Sequence, residues 1–374
     1  MCSRCIFCFI LLIFFLDGFC QVTISGRILN DETGEPVPNV SVYINNTTIG
    51  VNSDAEGNYI LKSIRPGIYE IITSHVGFDM LVHRVEVTNQ HLRVSFRLVP
   101  KIKQMRNIVI MTTDLRKKWI GIFKEYFLGQ SLAASKSKIL NEDEILFEKG
   151  NEPKALKAFT ETPLIIENRE LGYRIHFDLV EFYYDEASGR TYFYGFSRYE
   201  DLEGRESAKN KWVKNRQRAY YGSTQHFYHS LLNNDLENQQ YVVFLRKPPD
   251  STPVVKTSGS NVIIIPAPKA PVAVNVSVND ILSKTDTLGG KNQLKWKGRL
   301  VVRYKLNPYG KDFLRRKGML SGFLPKGVQS ELDMIDEYVF VDSNGCLETP
   351  LSVSYSGYWA YERVADMLPI DYRP

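Results

Sequence analysis

Between Val22 and Val99 short runs of alternating apolar and polar residues are broken by turn clusters, and a side-chain period of two commits this stretch to sheet. Val22 and Ile24, then Val40, Val42 and Ile44, then Val85 and Val87 each place apolar side chains on one face of a strand. Strands this short, with turn signals between them, predict an all-β sandwich over residues 22–99. Asn30-Asp31-Glu32-Thr33-Gly34 and Asp54-Ala55-Glu56-Gly57-Asn58 offer side-chain acceptors for turn amides and a glycine for positive φ. Pro36 and Pro38 belong at an edge or in a turn, because proline cannot donate to a ladder.

The spacing of these residues is specific. Gly26-Arg27-Ile28, the run Thr33 to Val40, Gly50, Asp54, Gly57-Asn58-Tyr59, Gly67, Tyr69 and Gly77 together resemble the carboxypeptidase-like regulatory domain. That module is a prealbumin-like (Ig-like) β-sandwich, found beside zinc carboxypeptidase domains and at the N-terminus of TonB-dependent outer-membrane receptors of Gram-negative bacteria. The resemblance implies a scaffold or interaction unit and transfers no peptidase activity. Three later segments, Pro163 to Asp185, Lys209 to Leu231 and Gly357 to Tyr372, resemble the region that accompanies this sandwich in envelope proteins, which brings no assigned chemistry.

The first twenty residues set the expected compartment. Arg4 precedes the apolar run Ile6 to Leu16, and Gly18 and Cys20 put small residues at the minus three and minus one positions, which predicts a signal peptide over 1–20. The run falls well short of the roughly 20 residues that cross a bilayer as a helix. Four of the five cysteines lie in this segment, so an exported chain keeps Cys346 alone and must rest on packing. The formal charge of +5 is concentrated, because Arg205 to Arg218 holds six basic residues and one acidic residue. Such a run reads as a solvated helix face or as a contact for a lipid or polyanion, and export argues against nucleic acid.

Residues 107–374 read as an α+β domain, so the fold class is mainly β with α+β. A basic connector at Lys101 to Arg106 and a short strand at Ile108 to Met111 lead into a change of period. Leu115, Trp119, Ile122, Phe123 and Tyr126 recur at helical spacing, with Thr113 or Asp114 as the expected N-cap and Gly129 past the end. Tyr173, Ile175, Phe177 and Leu179 then alternate with Arg174, His176 and Asp178 in a strand, followed across Asp185 to Gly189 by a second at Thr191 to Phe196. Ser207 to Leu232 predicts one or two helices with Trp212, Ala219, Tyr220, Phe227 and Leu231 on the apolar face. Six prolines between residues 247 and 272 predict a loop with short edge strands at Val262 to Ile265 and Val272 to Val278. Leu294 to Leu306 and Ile335 to Val341 complete the sheet-forming sequence, before a helix at Tyr358 to Leu368 that Pro369 stops.

Chemistry-bearing residues are few. His83 and Glu86 stand three apart in a predicted strand and point to opposite faces, so they cannot share a zinc ion. His226 and His229 share a helix face, and His176 or Asp178 could supply a third ligand. Phe227 and Tyr228 are interleaved, however, and the Glu of a His-Glu-x-x-His site is missing, so the expected role is core hydrogen bonding with no metal or cofactor. Ser354-Tyr355-Ser356-Gly357 lacks the Gly-x-Ser-x-Gly of a serine hydrolase and reads as a loop before the last helix. Asp54 to Asn58 is too short for a calcium loop and reads as a turn. Tyr220 and Tyr221, with Trp212 on the same basic helix, form the candidate binding platform.

The expected function is a non-catalytic binding or accessory protein of the periplasm or outer membrane, with a protein or glycan as partner. The alternatives are a metal-dependent hydrolase of a cell-wall or dietary polymer, built on His226, His229 and Asp178, and a dedicated glycan-binding protein.

Overall fold

A computed structural model describes residues 22–101, 112–149, 154–247, 254–258, 261–265, 272–284, 292–306, 313 and 327–374. The predicted signal segment, the strand at Ile108 to Met111, nearly all of the basic connector and the six prolines of the 247–272 stretch lie outside the described residues. The chain divides into two units, Met1–Ile44 with Ile49–Ile102, and Asn45–Thr48 with Lys103–Pro374.

The first unit is the expected sandwich. Its strands are β1 (Val22–Asn30), β2 (Ser41–Ile44), β3 (Gly50–Asn52), β4 (Asn58–Ile64), β5 (Gly67–Ser74), β6 (Leu81–Val87), β7 (Leu92–Arg93) and β8 (Phe96–Leu98). One sheet sets β1 antiparallel to β4 and parallel to β7 and β8, and the other runs β3-β2-β5-β6, all antiparallel. Ile24, Ile28, Val42, Ile44, Leu61, Ile71 and Ile72 are fully buried, as the alternation requires. Gly26 has a steric reason to be glycine: a Cβ there would stand 1.6 Å from the Val94 carbonyl oxygen. The Tyr59 hydroxyl donates to that same oxygen at 2.7 Å, so two residues of the motif close one seam. Asp54 accepts from the amides of Glu56 and Asn58 at 3.1 and 2.7 Å, and these bonds hold its exposed carboxyl below the usual range.

The second unit opens with α1 (Thr113–Phe127) and α2 (Leu132–Ser135), followed by β9 (Ser137–Ile139), β10 (Leu146–Lys149), β11 (Ala155–Phe159), β12 (Leu164–Asn168), β13 (Tyr173–Asp185) and β14 (Thr191–Asp201). These six strands form one sheet. Strand β13 takes β11 and β12 along one edge and β14 along the other, all antiparallel. Helix α1 drives Phe123 and Phe127 into this sheet, where their rings meet Phe182, Phe177 and Phe193 at 4.9 to 5.2 Å. Both rings are fully buried, which at about 25 cal/mol per Å² stabilises by roughly 2–3 kcal/mol each.

Helices α3 (Glu206–Tyr220) and α4 (Thr224–Leu232) lead into a second core. Strand β15 (Tyr241–Lys247) precedes the hairpin β16 (Val254–Ser258) and β17 (Asn261–Ile265), then β18 (Val272–Asn275), β19 (Leu282–Lys284), β20 (Asn292–Leu294) and β21 (Arg299–Tyr304). The chain ends with β22 (Val328–Met334), β23 (Val339–Val341), β24 (Val353–Gly357) and the single turn α5 (Tyr358–Tyr361). The sheet order is β18-β15-β21-β22-β24, with a smaller sheet β19-β20-β23. Phe227, Tyr228 and Leu231 of α4 pack with Leu300, Val302, Leu332 and Trp359 in this core.

Several expectations need correction. The N-cap of α1 is Thr112, whose hydroxyl accepts from the Leu115 amide, one residue before the predicted start. Residues 358–368 are not one helix: α5 ends at Tyr361, a 3-10 turn covers Val364–Asp366, and Glu362 between them pairs with Gly129 as an isolated bridge. The backbone there is bound sideways, with the Ala365 amide donating to Leu128 at 3.2 Å. Ile335 is exposed at a strand end, and the strand that precedes it begins at Val328. Ser354–Gly357 belongs to β24 and not to a loop. The edge strand β18 was expected, whereas β16 was not.

Candidate functional site

Helix α3 is basic along its length and is attached through the side that carries Trp212, Asn215 and Arg216. Trp212 lies between two glycines: a Cβ on Gly172 would stand 2.1 Å from the indole, and one on Gly204 would stand 2.6 Å from it. Its Nε1 donates to the Arg169 carbonyl at 3.0 Å, and Asn215, buried, donates to the Glu170 carbonyl at 2.8 Å. Arg216 is held by several groups at once. It donates to the carbonyls of Leu171 and Gly172, reaches Asp201 at 2.6 Å and lies 3.6 Å from the centre of the Tyr173 ring. The receiving turn is itself fixed, since Asn168 accepts from the amides of Glu170 and Leu171 and donates to the Ala365 carbonyl at 2.7 Å.

The opposite side of α3 carries Lys211, Lys214 and Arg218, all exposed, and no ion pair or side-chain hydrogen bond is formed by them among the described residues. Lys209 pairs with Glu206 at 3.3 Å. Tyr221, directly past the helix, is 42% exposed. Its ring meets Tyr220 and His226 edge-on at 5.5 and 5.3 Å.

Beneath this surface the histidines of α4 are tied into a closed network. His226 Nδ1 accepts from the Gly222 amide at 3.1 Å, which fixes the proton on Nε2, and Nε2 faces Gln239 Oε1 at 3.1 Å. The Tyr241 hydroxyl adds a second contact to Nδ1 at 3.0 Å. His229 Nε2 donates to the Asn344 carbonyl at 2.8 Å, so its Nδ1 accepts from the Tyr220 hydroxyl at 3.1 Å. Both imidazoles are therefore held neutral, and burial lowers both pKa values.

The platform predicted from the sequence is placed in three different settings. Tyr220 is 7% exposed, with its hydroxyl given to His229. Trp212 is the half-buried anchor of α3. Tyr221 alone presents a ring to solvent. His176 stands on β13 beside Glu200 at 3.2 Å, with its pKa lowered by burial and by Arg198, and Asp178 is half-buried on the same strand. No cluster of three or more His, Cys, Asp or Glu fit to hold a metal occurs among the described residues. The one free ring nitrogen that a metal would need is already taken by protein groups in both His226 and His229.

One acidic pair escaped sequence reasoning. Glu362 and Asp366 lie on the segment that joins the two cores of the second unit. Burial raises both pKa values, Asp366 to about 7, and the charge of Asp366 pushes Glu362 further up. Asp366 Oδ2 is shut off from solvent with no hydrogen-bond partner among the described residues. Spacing within a predicted helix gave no sign of this, because the signal is burial.

A two-layer β-sandwich, followed by an α+β unit with a basic helix face and an internally satisfied histidine network, describes the molecule. Residues 24–110 match the CarboxypepD_reg-like domain family, and the first unit is such a domain. No curated protein matches the chain. Solved structures with some likeness include a cohesin–X-dockerin complex from Acetivibrio cellulolyticus, at 20% identity over 29% of this chain and 76% of that one, TM-score 0.20. A candidate carbohydrate-binding protein from Bacteroides uniformis is 10% identical over 68% of this chain and 99% of its own, TM-score 0.18. A DUF3823 family protein from the same organism is 10% identical over 77% and 91%, TM-score 0.17. At these scores the likenesses carry no argument about ligand or activity.

Proposed function

We propose that the protein is a non-catalytic binding or accessory protein of the cell envelope. In this reading residues 1–20 direct export, the CarboxypepD_reg-like sandwich is the docking module, and the second unit bears the recognition surface for a protein or glycan. The observation that carries it is the closed state of His226 and His229. Each imidazole has both nitrogens bound to protein groups that fix its tautomer, so neither is presented as a base or a ligand. What remains offered to solvent is surface, foremost the basic side of α3 with Tyr221.

The test has two arms. N-terminal sequencing of the protein from fractionated cells should give a start at Gln21 in the envelope or periplasm; an intact Met1 in the cytosol would remove the export step. A pull-down from the same envelope should recover a stoichiometric partner or a glycan. Stoichiometric zinc in the purified protein, lost together with a hydrolytic activity in His226→Ala, would instead establish the hydrolase alternative.

A further inference from the structure

We infer that the solvent-facing side of α3 is a binding strip for an acidic polysaccharide, its carboxylate or sulfate groups meeting Lys211, Lys214 and Arg218 and one sugar ring lying on Tyr221. The inference rests on the reading of the protein as a binding protein and adds the class of ligand and the residues that hold it.

Helix geometry puts the four residues in register. At about 100° per residue, positions 211, 214, 218 and 221 fall within one arc of roughly 80°, and at about 1.5 Å per residue they extend over ~15 Å. A strip of that length matches an extended chain better than a single small anion. The charges are uncommitted, because Lys211, Lys214 and Arg218 form no ion pair among the described residues, whereas the inward Arg216 is bound to Leu171, Gly172 and Asp201 and lies over Tyr173. Charge complementarity therefore selects an anionic partner, and the cost of removing a competing internal carboxylate does not arise.

The strip is also held still. Trp212 between Gly172 and Gly204, Asn215 on Glu170 and Arg216 on Asp201 fix the helix through its other side, so little backbone freedom is lost on binding. Tyr221 is held in T-shaped contact with Tyr220 and His226 yet stays exposed, and the exposed part of its ring is where the apolar side of a sugar ring would lie. Tyr372, half-buried against Tyr220, and the exposed Arg373 extend the same aromatic and cationic character at that end.

A membrane surface is the rival partner for a basic helix. Amphipathic helices that bind bilayers present Trp, Phe or Leu for insertion beside their basic residues. Here the arc contains no aliphatic residue, and Val213 lies outside it, so a bilayer would gain headgroup attraction alone.

The experiment is titration of the purified protein with polygalacturonate and with heparin across a salt series, with neutral dextran and vesicles of phosphatidylglycerol and phosphatidylcholine as controls. Binding to the acidic polymers, weakening steeply with salt, is expected. The K211E/K214E/R218E variant should lose at least tenfold in affinity while keeping its thermal midpoint, since all three side chains are exposed. Tyr221→Ala should lose several-fold on polygalacturonate without changing the salt dependence. Equal binding by wild type and the triple variant would overturn the inference, as would tighter binding to anionic vesicles than to either polymer. Absence of polymer binding by a protein that still recovers a partner from the envelope would overturn this inference and leave the broader reading standing.

Discussion

The two units solve the burial of polar groups differently. Among described side chains the first unit buries only the hydroxyls of Ser53 and Thr73, whereas the second buries Asn168, Glu170, Asp185, Asn215, His226 and Asn344 besides smaller groups. The histidines divide in the same way. His83 and His91 of the sandwich are exposed, while His226 of the second unit is 3% exposed and bonded at both nitrogens. The sandwich, made of alternating strands and local turns, makes its distant side-chain ties mostly at exposed positions, as between Thr23 and His91 or Arg27 and Ser95, with Tyr59 to Val94 part-buried. A unit whose helices must be fixed to two separate sheets uses side-chain-to-carbonyl bonds between residues far apart in sequence, such as Asn168 to Ala365 and His229 to Asn344.

The largest effect should fall in the sandwich, where backbone meets backbone. Gly26→Ala is expected to cost about 4 kcal/mol or more in urea unfolding, because the Val94 carbonyl is backbone, held by the Val94 amide's bond to Ser25 and by the Tyr59 hydroxyl. Gly34→Ala is the control. Its φ is +72° but no atom lies within 4 Å of a Cβ, so only the conformational cost of about 1 kcal/mol is expected. Equal losses for the two would show that the seam between Gly26, Tyr59 and Val94 is softer than its geometry requires.

Next comes the histidine network. His226→Ala strands the Gly222 amide and Gln239, and should cost roughly 2–3 kcal/mol. His83→Ala, an exposed residue of β6 whose ring touches Phe96 at 5.6 Å, should cost about 1 kcal/mol or less. Comparable costs would break the contrast between the units. The neutral imidazoles also set a direction with pH: their folded pKa values lie below the unfolded value of about 6.5, so the stability they give is complete above that pH and is lost as pH falls below it.

The contrast also explains what the sequence revealed. The sandwich was legible almost strand by strand, because period-two alternation and the turn chemistry of Asn30 to Gly34 and Asp54 to Asn58 are local. The aromatic stripe of α1 and the alternation of β13 were readable for the same reason. Strand β22 was missed because Ser330 takes an interior position, where its hydroxyl accepts from the Trp359 amide at 3.1 Å. The platform of Tyr220, Tyr221 and Trp212 was readable as a cluster but not as three roles, since those roles depend on Gly172, Gly204 and His229, which come from other elements. The helix expected at Tyr358 to Leu368 failed similarly, because Gly129 and Leu128 claim its backbone from 230 or so residues away.

The acidic pair of that segment gives the smallest effect and the most diagnostic sign. Glu362 and Asp366 have folded pKa values above their unfolded ones, so the folded state holds protons that the unfolded chain releases. Their contribution is therefore most favourable below about pH 4 and is lost as pH rises toward neutrality, opposite to the histidines. Asp366 takes hydrogen bonds from Ser131 and from the Arg363 amide, which hold its pKa down, but burial is the larger cause. Asp366→Asn keeps the shape, removes one of the two charges and also lets Glu362 ionise at lower cost. It should raise stability at pH 8 by about 1–2 kcal/mol and change it little at pH 4, measured by urea midpoints at the two pH values. A loss at pH 8 would mean that the bonds Asp366 takes from Ser131 and the Arg363 amide outweigh the burial of its charge and help to fasten the segment between the two cores, and the distinction between polar groups that tie this unit together and polar groups that strain it would fall at a different residue.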